Sequence, residues 1–175
     1  VTNAKTASGT TASTVSKLKG TLSGLETEVQ CTGLNGSGSL TNAAESVSGT
    51  GTIEYTGCTV TKPAGRECKV DSIGKIFTTV LVWVGTAIAE RWIKLHPNTG
   101  TQLATVPIEG CLNNKPPAAD YPVSGSLIAK TSGATATTTH SEITTQGTLT
   151  FGGNAAGIEG ALTISMEGGN PIFLK

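Results

Sequence analysis

The chain has 175 residues, with 12 basic and 12 acidic side chains, and charged residues make up only 14% of it. A soluble domain usually carries about 25%, and no basic stripe interrupts this neutrality. Composition therefore argues against nucleic acid or an anionic membrane surface as a partner.

The length suits one domain, with or without an arm. Residues 1–16 (VTNAKTASGTTASTVS) are small, polar and almost uncharged. Such a composition buries too little surface to order itself. It reads as a flexible or extended N-terminal arm ahead of a single all-β domain over residues 17–175. In its extended form the arm would pair with a neighbouring subunit by strand addition. Val1 and Val15 are then candidate subunit contacts. The first twenty residues contain no apolar leader, and Val1 stands where an initiator Met would. This start reads as a mature product after cleavage.

From Lys17 a short phrase recurs: Gly, then a small residue, then Leu or Ile. It occurs as Gly20-Thr21-Leu22, Gly38-Ser39-Leu40, Gly51-Thr52-Ile53, Gly125-Ser126-Leu127, Gly147-Thr148-Leu149 and Gly160-Ala161-Leu162. The spacing is irregular, which excludes a solenoid of fixed period. Each phrase reads as a turn or bulge glycine, an outward small residue and an inward aliphatic. This punctuation predicts strands at 17–23, 27–33, 37–42, 49–61 and 67–70.

Large apolar residues are densest over 75–95 (KIFTTVLVWVGTAIAERWIKL), read as a central hairpin turning near Gly85-Thr86. Strict alternation puts Ile76, Thr78, Val80, Val82 and Val84 on one face. Phe77, Thr79, Leu81 and Trp83 take the other. Both faces are apolar, as in a strand covered on both sides or meeting a partner. Helix competes with strand over 86–95, because Ala, Glu, Arg and Lys there favour it.

Downstream, His96-Pro97-Asn98-Thr99-Gly100 marks a turn. A strand follows at 101–109, with Ala104, Val106 and Ile108 facing one way. Residues 113–122 (NNKPPAADYP) form a long proline-rich connection, read as a rigid crossover rather than a binding loop. Strands at 123–130, 140–151, 157–167 and 171–175 complete the chain. The apolar last stretch, Ile172, Phe173 and Leu174, is either paired in the core or a docking edge. The predicted fold is all-β: an antiparallel sandwich or barrel of roughly ten to twelve strands, stapled by disulfides.

The four cysteines, Cys31, Cys58, Cys68 and Cys111, include no C-x-x-C pair. A zinc site needs clustered thiolates or imidazoles, so two disulfides and an oxidising compartment are expected instead. Cys58 and Cys68 flank Lys62-Pro63-Ala64-Gly65, which has turn chemistry. This favours a Cys58–Cys68 hairpin bridge with Cys31–Cys111. The rival pairing, Cys31–Cys58 with Cys68–Cys111, is nearly as good.

Catalytic patterning is missing. No G-x-S-x-G elbow surrounds a serine, and His96 and His140 read as exposed turn or strand-end residues. The acids are scattered singly, without the pairing glycoside cleavage needs. Asp occurs only twice, at Asp71 and Asp120, too few for a calcium loop. No phosphate-binding loop is present. The expectation is no enzyme, no metal and no cofactor. Trp83 and Trp92, with Tyr55 and Tyr121, could stack on sugar rings, although sheet aromatics are more often core. Asn35-Gly36-Ser37 fits the glycosylation sequon.

Several segments together resemble a set of uncharacterised secreted bacterial proteins rich in Gly, Thr and Ser. They are Val29-Gln30-Cys31-Thr32, then residues 51–58 (GTIEYTGC), 64–70 (AGRECKV), 74–79 (GKIFTT), 108–111 (IEGC), 121–126 (YPVSGS) and 147–162 (GTLTFGGNAAGIEGAL). The resemblance spans about residues 29 to 162. It implies secretion and disulfides, and brings no functional residues. Two functions are then expected. The first is a secreted structural subunit that polymerises with copies of itself into a pilus-like filament, surface fibre or matrix, through strand contacts. The second is a cell-surface module that binds polysaccharide.

Overall fold

The structure is a computed structural model that describes residues 4–11, 15–42, 46–71, 73–86, 92–132, 138–144 and 148–166. For residues 4–11, 40–42, 46–47, 83–86, 92–93, 129–132, 138–144 and 161–166 the backbone alone is described. Val1, Ile172, Phe173 and Leu174 lie outside the described residues, as do residues 87–91 of the stretch where helix competed with strand; the rest of that stretch is strand.

Thr is the commonest residue of the chain and, like Val and Ile, suits a strand; the described residues form an all-β, antiparallel structure of sixteen strand segments. The segments lie end to end in eight long runs. The first run is β1 (Ala4–Thr11) and β2 (Ser16–Leu22), the second β3 (Leu25–Asn42) and the third β4 (Ser46–Lys62). The fourth holds β5 (Lys69–Val70), β6 (Ile76–Phe77) and β7 (Leu81–Thr86). The fifth is β8 (Trp92–Pro97) with β9 (Gln102–Glu109), and the sixth β10 (Ala119–Ser124) with β11 (Leu127–Ser132). The seventh is β12 (Thr138–Thr144) with β13 (Thr150–Phe151). The eighth holds β14 (Asn154–Ala155), β15 (Gly157–Glu159) and β16 (Ala161–Met166).

Each run pairs antiparallel with the next. The eighth then returns to the first: Ile158 opposes Leu18, and Ile164 opposes Gly9. The described strands therefore close into an up-and-down barrel, which leaves none of the eight runs without a neighbour on each side.

Local chemistry sets the turns. Ser23 and Gly24 both have positive φ, and so do Gly152 and Gly153. Each pair joins opposed strand ends, Leu22 to Leu25 and Phe151 to Asn154. Two positive-φ residues between paired strands make the type I′ hairpin, whose twist matches the strands it joins.

The barrel interior is the core. Phe151, Leu81, Val106, Leu22, Val29 and Ile108 are almost wholly buried, and they come from five different runs. Described outward positions on β3 and β4 are polar: Asn35, Ser37, Ser39, Ser48, Thr50 and Thr52 are all exposed. A lipid-facing barrel would show an apolar band there.

Four expectations change. The stretch 4–11, read as part of an arm, is a barrel strand: β1 pairs with β16 on one side and β3 on the other. Its small polar residues are held by neighbours far away in sequence. Val15 leads into β2 and is half-buried. The proline-rich connection is no crossover, because β9 and β10 are adjacent and antiparallel. Instead it folds on itself: Asn114 Oδ1 accepts the Ala118 N–H at 3.0 Å, and the Tyr121 hydroxyl donates to the Pro117 carbonyl at 2.7 Å. Gly85 and Thr86 lie within β7 and do not form a turn.

The favoured disulfide pairing is the fourth correction. The bridges are Cys31–Cys58 and Cys68–Cys111. Cys31 and Cys58 stand directly opposed in the β3–β4 ladder, with Cα atoms 4.0 Å apart. The register brings them together, and a turn between Cys58 and Cys68 cannot override a ladder this long. Cys68–Cys111 ties the β4–β5 connection to the β9–β10 connection. No cysteine is left free.

Candidate functional site

Among the described residues, two spaces in the barrel could take a ligand, and their sizes separate them. The first lies in the interior, lined by side chains from all eight runs, from Leu18 on the first to Ile158 on the eighth. It is almost entirely apolar and holds about 50 Å³. Sites for drug-sized molecules run to about 300–1,000 Å³, so this cavity is too small for a lipid or a sugar. Here the eight-stranded barrel is filled by its own side chains. One polar atom in the lining, Ser16 Oγ, is buried without a hydrogen-bond partner.

The second space is an open groove of about 430 Å³ on the outer wall, across β3, β4 and β6. Register builds it. Asn35 opposes Glu54, and Glu54 opposes Phe77, so three side chains form one row across three strands. Ser37 opposes Thr52 in the adjoining row. Asn35, Ser37, Thr52 and Phe77 are exposed, Phe77 by 53%. Glu54 is partly buried, and its Oε1 accepts a hydrogen bond from Lys75 Nζ at 2.8 Å.

Phe77 and Leu81 face opposite sides of the wall because the fourth run is bulged between them. Up to Phe77 the register pairs Glu54 with Phe77; beyond it, Gly51 pairs with Leu81. One extra residue has been inserted between them. The Thr78 N–H donates to the Ile53 carbonyl at 2.9 Å, and the Ile53 N–H donates to the Thr78 hydroxyl at 2.9 Å. Thr79 turns away to the next run, where its N–H meets the Leu103 carbonyl at 2.8 Å. The expected alternation over 76–84 therefore breaks. Ile76 and Leu81 are both buried, whereas Phe77 and Val80 are both exposed.

The sequence-derived aromatic candidates do not gather at one place. Tyr55 is in the core, and burial pushes its phenol up to about 12. Tyr121 is half-buried and meets Phe151 edge-on, with ring centroids 6.1 Å apart. The position of Trp83 lies in register with Leu95 and Leu127, while that of Trp92 lies in register with Thr86 and Lys130. The two positions thus have opposite parity in the sheet. Asn35 of the sequon stands on the groove wall. Sequence reasoning missed Phe77 as a site residue. The signal available was Thr78-Thr79, two hydroxyl residues side by side within an apolar run.

Among the described residues, no three His, Cys, Asp or Glu side chains gather closely enough to hold a metal. No helix among them is long and apolar enough to cross a membrane. Comparison of the chain with protein-family models, with curated proteins and with solved structures returns no match.

Proposed function

We propose that this chain is a non-catalytic binding module of a secreted or cell-surface protein, and that the outer-wall groove holds carbohydrate. The row Asn35–Glu54–Phe77 carries this reading. A sugar ring has an apolar C–H face and a rim of hydroxyls. An exposed aromatic ring suits the first, and an amide, a carboxylate and the hydroxyls of Ser37 and Thr52 suit the second. The groove is large enough for a short saccharide. The two disulfides support an oxidising, extracytoplasmic setting.

The other reading, a homopolymer joined by strands, draws on the neutral Ser/Thr-rich exterior. Strand addition needs an unpaired edge. In the described barrel each run already has two neighbours. That reading therefore turns on residues 1–3 and 167–175, outside the described part.

The test is affinity electrophoresis through gels containing soluble polysaccharide, with wild type and Phe77→Ala. Wild type should be retarded by at least one polysaccharide, and Phe77→Ala should lose affinity on the order of tenfold. Equal retardation of the two proteins would sink the groove as the binding site.

A further inference from the structure

We propose that the Glu54–Lys75 pair sets the charge selectivity of the groove, restricting it to neutral saccharides and rejecting uronate-bearing or sulfated ones. This rests on the reading of the groove as a glycan site. Glu54 is the one acidic residue in the groove lining, and it sits between Asn35 and Phe77 in the cross-strand row. Left alone, its carboxylate would make the groove negative at its centre. Lys75, two residues before Phe77 on the same run, places its ammonium 2.8 Å from that carboxylate. The pair leaves the site with no net charge, and holds the carboxylate on the groove wall.

The fractional exposures of the two side chains, 41% for Lys75 and 29% for Glu54, say what kind of device this is. A pair this open adds little to stability. Its effect falls on what approaches the groove. An anionic sugar meets the carboxylate at close range, and Lys75 cannot repay that repulsion without releasing Glu54. A neutral sugar meets acceptors and donors only. Binding of the right ligand should therefore be nearly indifferent to salt, since no counterions are exchanged.

Removing one partner turns the selectivity. Glu54→Gln keeps the shape and hydrogen-bonding capacity of the side chain while leaving Lys75 uncompensated. Lys75→Gln does the reverse and leaves Glu54 exposed as a free carboxylate. The experiment measures retardation of the intact wild type, Glu54→Gln and Lys75→Gln. The matrices are a neutral glucan, a polygalacturonate and a chitosan, each at low and moderate salt.

Wild type should bind the neutral glucan without salt dependence and ignore the polygalacturonate. Glu54→Gln should gain affinity for polygalacturonate on the order of fivefold at low salt, and lose the gain as salt rises. Lys75→Gln should gain for chitosan in the same way. Salt-dependent binding of wild type to polygalacturonate overturns the proposal. So does a Glu54→Gln protein that matches wild type on it while keeping its unfolding midpoint. Those failures leave the glycan reading to the Phe77→Ala comparison. If neither the neutral glucan nor any other polysaccharide retards wild type, the glycan reading falls and takes the proposal with it.

Discussion

Thr78 satisfies both backbone groups of Ile53, giving its N–H to the Ile53 carbonyl and accepting the Ile53 N–H on its own hydroxyl, each at 2.9 Å. A side chain thus replaces the carbonyl that a regular ladder would supply. The substitution absorbs the extra residue of the bulge, which brings Leu81 into the core while Phe77 stays on the outer face. Thr78→Val keeps the shape and removes the acceptor. It should cost about 1–3 kcal/mol, the price of an unsatisfied buried N–H. Thr78→Ser should recover most of that loss. Urea unfolding of the three proteins measures both, and equal stability of the valine and serine variants would refute the role given to the hydroxyl.

The disulfides make a prediction that peptide mapping can read. Arg66 lies between Cys58 and Cys68. Trypsin cleavage there places the two cysteines in different peptides. Without reduction, the tryptic peptide 20–66, which holds both Cys31 and Cys58, should run free of the others, while the Cys68 peptide should travel with that of Cys111. Replacing Cys31 and Cys58 together by Ala opens a loop with a sequence separation of 27. The expected loss is about 3–4 kcal/mol on the chain-entropy account, measured as the change in unfolding free energy.

Ser16 is the reverse case, a polar group that the core would do better without. Its hydroxyl is buried in an apolar cavity with no partner. Ser16→Ala removes the desolvation cost and one small atom. The variant should be more stable by about 1 kcal/mol. A lower urea midpoint for Ser16→Ala would show that the hydroxyl is satisfied in solution.

Tyr55 predicts a response to alkali. Burial pushes its phenol up to about 12, while an unfolded tyrosine titrates near 10. The folded state therefore holds its proton longer. The contribution to stability is complete below pH 10 and is lost as the pH rises toward 12, up to about 3 kcal/mol in all. Tyr55→Phe should flatten the fall in melting temperature over that window. If wild type and variant decline in parallel from pH 9.5 to 11.5, the buried phenol is not the cause.

How much of this was legible in the sequence depends on how far each decision reaches along the chain. The break between the strands at 17–23 and 27–33 and the strand with Ala104, Val106 and Ile108 are local matters, and both were read. The all-β class followed from Thr, Val and Ile between glycines. The partner of Cys58 was misjudged because Lys62-Pro63-Ala64-Gly65 offers a visible turn, whereas the β3–β4 register is set by pairs spread over both strands. The stretch 4–11 was misjudged for a related reason. Its Thr, Ser and Ala specify nothing by themselves, and only barrel closure supplies neighbours on both sides. The groove escaped notice because alternation was assumed to continue through Thr78-Thr79. An inserted residue reverses which side every later residue faces.

The seam between the eighth run and the first also dictates when this molecule can fold. Lys19 and Glu159, which meet across it at 2.8 Å, are 140 positions apart. A nascent chain has made most of its strands before the one that completes the cylinder exists. Until then the first run and the latest one made both remain bare, open to any other unfinished copy. Contacts of such long range slow folding, and bare edges invite misassociation. A chain of this kind gains from keeping those two edges apart from other copies until its last run is made, and from closing in one late step.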